Sequence, residues 1–141
     1  MPSDFPSLSG VCTIVYRPDL HLLVGRWLDD APVPQLQADY AALLMTAQAH
    51  GVGRWLLDVR RRDQLAPELG QWTTSTFYPE ASMQMAPHQL QIAVLCSPAR
   101  LAVYAASARQ QEYLNYGLAA ERPYQLRLFG DEGQAMEWLN S

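Results

Sequence analysis

Residues 54–63 run Arg54-Trp55-Leu56-Leu57-Asp58-Val59-Arg60-Arg61-Arg62-Asp63, a short apolar segment that ends in three consecutive arginines. Just before it, Leu36, Tyr40, Leu43, Leu44 and Ala47 recur at i, i+4, i+7, i+8 and i+11. That spacing puts them on one face of an amphipathic helix. Pro34 suits the first turn of this helix and Gly51 suits its C-terminal cap. A strand that follows a helix of this length completes a right-handed crossover onto a parallel neighbour. The helix leading into RWLLDV therefore predicts a sheet that is at least partly parallel.

Toward the N-terminus, Val11–Arg17 and Leu20–Trp27 are rich in β-branched, aromatic and aliphatic residues, with Pro18-Asp19 as turn chemistry between them. The pair reads as a hairpin. Residues 1–10, with two prolines, three serines and a glycine, read as a flexible arm.

Toward the C-terminus, a loop leads into a second helix near Pro67, with Leu69, Trp72, Thr73, Thr76 and Phe77 on its inner face. The run Thr73-Thr74-Ser75-Thr76 is poor in helix propensity, and Pro79 should break or kink the helix. Residues 79–88 fit either a loop or a short helical turn. Leu90–Cys96 is apolar enough for a strand buried on both faces. A helix over about Leu101–Tyr116 should turn Leu101, Tyr104, Ala105 and Ala108 inward and stop at Gly117. Gln125–Phe129 makes a fifth strand. Asp131, with Gln134 three residues on, caps a last helix whose Ala135, Trp138 and Leu139 face inward.

The order β-β-α-β-α-β-α-β-α predicts an α/β fold: a mixed, mostly parallel sheet of four or five strands with about four helices packed on it. A single domain over residues 11–141 accommodates every element.

The 141 residues carry a formal net charge of −4, and all ten basic residues are arginine. An acidic balance disfavours nucleic acid and anionic membrane surfaces, and the lack of lysine excludes lysine-based chemistry. No stretch resembles a signal peptide or a membrane span, and Cys12 and Cys96 sit singly in apolar strand-like runs. The expectation is a soluble, cytoplasmic protein with reduced cysteines.

His21, His50 and His88 are scattered and neither cysteine has a partner at metal-ligand spacing, so no metal or cofactor is expected. Gly51 and Gly53 lie at a helix-to-strand turn, whereas a phosphate cradle needs strand-to-helix. No nucleophile elbow occurs, and no catalytic residue is assigned.

The run Asp58–Asp63 is the most unusual local feature. In open α/β sheets ligands bind beyond the carboxyl ends of strands. Arg60, Arg61, Arg62 and the nearby Trp72 are therefore candidates for binding an anionic ligand or a partner. The alternative is a solvated charged loop in which at least one arginine pairs with Asp58, Asp63 or Glu68. Tyr113, Tyr116 and Tyr124 are interface candidates, since interfaces enrich tyrosine, and they point to a homodimer.

The opening hairpin, the helix leading into RWLLDVR, the strand LQIAVLC and the ending RLFGDEGQAMEWL together resemble the STAS-like proteins, in particular the SpoIIAA-like group that is also compared with SEC14-type domains. That resemblance implies a non-catalytic regulatory or binding module acting through protein or small-ligand contacts. Members that act as sigma-factor antagonists carry a phosphorylatable serine after the third strand. Here the segment is VRRRDQLAPELG, with no serine or threonine between Val59 and Gln71, so the phospho-switch does not carry over. The alternative function is a carrier or enzyme for a small anion or lipid, using the Arg60–Arg62/Trp72 strand end.

Overall fold

The hairpin sets one edge of the sheet. Strand β1 (Cys12–Arg17) pairs antiparallel with β2 (Leu22–Trp27), with Val15 opposite Val24. From β2 onward every pairing is parallel: β2 to β3 (Arg54–Asp58), β3 to β4 (Gln91–Leu95), and β4 to β5 (Gln125–Phe129). The five strands lie in sequence order, so the predicted mixed, mostly parallel α/β sheet is what forms. This computed structural model describes residues 7–64 and 66–141. Most of the flexible arm expected over residues 1–10 lies outside them. Within the described part, the Ser9 amide donates to Asp39 Oδ1 at 3.1 Å, which ties the arm's end to the first helix.

Helix α1 (Val33–His50) buries Leu36, Tyr40, Leu43, Leu44 and Ala47, the face its periodicity predicts. It ends at Gly51, whose φ of 61° is the left-handed conformation a glycine adopts without strain. After β3 the chain runs through α2 (Pro67–Trp72), a π-helical turn (Thr73–Phe77) and α3 (Tyr78–Met85) without interruption. Helix α4 (Pro98–Ala106) and α5 (Ala108–Leu118) link β4 to β5, and α6 (Glu132–Asn140) closes the chain.

The pleat sorts the sheet residues onto two faces. Leu23, Trp27, Trp55, Leu57, Ile92 and Leu126 pack with the helices from α1 to α5 in the larger core. Leu22, Val24, Leu56, Ala93, Leu95 and Phe129 face the other way and meet Ala135 and Leu139 of α6.

Several expectations are corrected. Pro79 does not break the second helix. The helix runs on through it: Pro79 is the second residue of α3, directly after a π turn that takes up the poor helix formers. The extra residue of that turn rotates the inner face, so Thr74 is buried and Thr76 is exposed. The helix expected over 101–116 is two helices. Ser107 leaves helical geometry at φ −100° and ψ 117°, and its hydroxyl caps α5 by accepting from the Gln110 amide. The resulting change of direction leaves Ala105 and Ala108 exposed. The helix ends one residue past Gly117, which is not its cap: it is buried in the last turn of α5, where a Cβ would fall 2.6 Å from Thr74 Cγ2. Trp138, expected inward, is half-buried and packs against the smaller core beside Phe129.

Candidate functional site

The arginine run divides at the end of β3 because the pleat continues through it. Asp58 points to the α6 side of the sheet, and Val59 points to the opposite side, into the larger core. The Val59 carbonyl accepts the Arg62 amide at 3.1 Å, closing a tight turn with Arg60 and Arg61 at its corners. Arg60 folds back onto Asp58 through two side-chain hydrogen bonds of 3.0 and 2.9 Å. Arg26, the register partner of Asp58 on β2, joins the same carboxylate at 2.8 Å and reaches Glu132 of α6 at 2.7 Å. Burial pushes the Asp58 carboxyl up, but the hydrogen bonds from the Arg60 side chain and amide and from Arg26 outweigh it and hold it below the usual range. Arg61 is exposed. Arg60 is thus part of a charge network on the α6 side, in keeping with the solvated-loop alternative for that residue.

Arg62 goes the other way. It is 6% exposed, and its Cζ lies 5.1 Å from the centre of the Trp27 ring. Beside it is a second buried arginine, Arg100, also 6% exposed. Arg100 sits in the first turn of α4, where Ser97 caps the helix by accepting the Arg100 amide at 3.1 Å. Its guanidinium donates to the Arg62 carbonyl at 2.9 Å and to the Tyr104 hydroxyl at 2.8 Å. No carboxylate pairs with either arginine among the described residues. Arg62 Nε and Nη1 and Arg100 Nε are buried with no hydrogen-bond partner there.

Both arginines line a cavity of about 60 Å³ at the carboxyl ends of β3 and β4. Its other walls are apolar (Val59, Leu69, Val94, Leu128), phenolic (Tyr40, Tyr78, Tyr104, Tyr113) or hydroxylic (Thr73, Thr74), and no acidic residue lines it. Burial holds the Tyr78, Tyr104 and Tyr113 phenols above their ordinary titration range, so they stay protonated at neutral pH. The cavity therefore presents guanidinium and phenol donors and a positive field. Taking an ion out of water costs on the order of several kcal/mol unless it is paired. Two adjacent guanidiniums with open donors are a site that an anion would complete.

The other side chains singled out from the sequence lie elsewhere. Trp72 packs on Tyr40 and Phe77 behind the cavity wall, with ring centroids 5.9 and 5.2 Å apart. Tyr124 is buried and donates to the Thr74 carbonyl at 2.6 Å, so it presents no contact surface. Tyr116 is 40% exposed, with Arg122 3.8 Å over its ring. Tyr113 is half-buried and lines the cavity. Burial pushes the Cys96 thiol up to about 11 and the Cys12 thiol to about 12, leaving neither as a thiolate. Among the described residues no group of three or more histidine, cysteine or acidic side chains could hold a metal, and no helix is long and apolar enough to cross a membrane.

Arg100 is the site residue that sequence inspection passed over. A signal was present: a cation in a helix's first turn opposes the macrodipole, so an arginine there has another task. No protein-family model, curated protein or solved structure compared with this chain matches it.

Proposed function

We propose that the chain is a non-catalytic binding module that takes a small anion between Arg62 and Arg100, in a domain of STAS-like element order that lacks the family's phosphoacceptor. The observation that carries the proposal is the pair of buried arginines that line one cavity with open donors, no carboxylate lining that cavity or pairing with either of them among the described residues. Their place beyond the carboxyl ends of adjacent parallel strands, where open α/β sheets bind ligands, supports it. So does the supply of phenolic donors with no base beside them to drive a reaction.

The test is the Arg62→Met variant, which keeps apolar contact with Trp27 and removes the unpaired charge. Its thermal midpoint without ligand should equal or exceed that of the parent chain, because a buried charge without a partner is relieved. An anion that stabilises the parent, by roughly 2.7 kcal/mol at 100 times its dissociation constant, should no longer stabilise the variant. The proposal fails if phosphate, sulfate and a panel of carboxylates leave the parent's midpoint unmoved.

A further inference from the structure

Among the described residues four charged side chains are buried: Asp39, Asp58, Arg62 and Arg100. Asp58 is on the α6 side and is matched by Arg26 and Arg60. The other three stand together on the side of the larger core. Asp39, in α1, is 2% exposed. Its Oδ2 accepts from Trp27 Nε1 at 2.9 Å and its Oδ1 from the Ser9 amide at 3.1 Å, so both oxygens act as acceptors, as those of an ionised carboxylate do. The same indole carries Arg62 over its ring, with Cζ 5.1 Å from the centre. Trp27 therefore joins the Asp39 carboxylate to the Arg62 guanidinium, and an N–H held by an anion makes the ring a better seat for a cation. The Cys12 thiol feels both charges: after burial, Asp39 pushes it up and Arg62 pulls it down.

The charges on this face do not balance. Arg62 and Arg100 contribute two positive charges and Asp39 offsets one. The Tyr78, Tyr104 and Tyr113 phenols are protonated, and no histidine lines the cavity. Asp63 borders the same two arginines from the outer side, but it is exposed and water screens it. One buried positive charge is left. The cost of taking an ion out of water rises with the square of its charge, whereas its attraction to the site rises only in proportion. On the basis of the anion-binding reading above, we infer that the ligand is singly charged, and that Asp39, acting through Trp27, sets the preference against doubly charged anions. A singly charged anion leaves this face neutral, and a doubly charged one leaves it with a buried negative charge.

The experiment is calorimetric titration of the full chain with formate, sulfate and inorganic phosphate at steps from pH 5.5 to pH 8. Phosphate passes from one charge to two over this range, whereas formate keeps one and sulfate keeps two. Formate should bind equally well throughout and tighter than sulfate, and the affinity for phosphate should fall by about tenfold as its second proton leaves. Asp39→Asn keeps an acceptor for the indole N–H and removes the charge; it should abolish the fall for phosphate and raise the affinity for sulfate relative to formate. Sulfate binding as tightly as formate to the parent chain overturns the inference while the anion site stands. So does a fall for formate that parallels the fall for phosphate, which would place the titration in the protein, or a fall for phosphate that persists in Asp39→Asn. Absence of binding by all three ions overturns the anion site itself.

Discussion

Asp58 shows how one side chain organises the end of a strand. It accepts from Arg60 and Arg26 while nearly buried, and those partners hold its carboxyl below the usual range against the opposing effect of burial. A carboxylate whose folded-state pKa is depressed stabilises the protein above its unfolded value of about 3.9. That contribution is lost as the pH falls through the lower folded value. Asp58→Asn should therefore flatten the acid limb of the stability curve below about pH 4, measured by urea unfolding at stepped pH; a limb as steep as the parent's would show that another carboxylate governs it. At this scale the presence of the arginines was legible in the sequence, but not their division. Whether Arg60 and Arg62 share a site depends on which side of the pleat each leaves from, and that is set by the register of Val59. Arg100 lay 38 residues from Arg62 in sequence, and only the α4 start at Pro98 brings the two together.

The elements themselves follow from local chemistry where the signals are strong. The α1 face, the Gly51 cap and the Asp131 cap of α6 are all where their residues place them, with the Gln134 amide 2.9 Å from Asp131 Oδ2. They were legible because capping and periodicity act within one turn. The π turn at Thr73–Phe77 was not, because inserting one residue into a helix leaves no mark that differs from a run of poor helix formers. Nor was the break at Ser107, where a single serine interrupts an alanine-rich stretch. Its hydroxyl does the capping of α5, so Ser107→Ala should destabilise the protein by about 1 kcal/mol in chemical unfolding. A change under a few tenths would mean that the bend is held by the packing of α5 on α2 and the π turn and not by the cap.

Across the whole molecule, one sheet serves two cores, the larger under α1 to α5 and the smaller under α6. Leu139 of α6 is fully buried against the smaller one. Leu139→Ala should cost about 2–5 kcal/mol, and far- and near-ultraviolet dichroism should report one lowered midpoint, since β2, β3 and β4 belong to both cores. Separate transitions in the two signals would mean that the faces melt independently. The sequence by itself determined the α/β class, the opening hairpin, the parallel crossovers and most core faces, because burial and chain stiffness act on residues close together in the chain. The tertiary structure alone decided that Arg62 and Arg100 line one cavity, that Asp39 meets Arg62 across Trp27, and that Tyr124 is interior. Those outcomes depend on contacts across many residues, through strand register and a π turn, which no local pattern encodes.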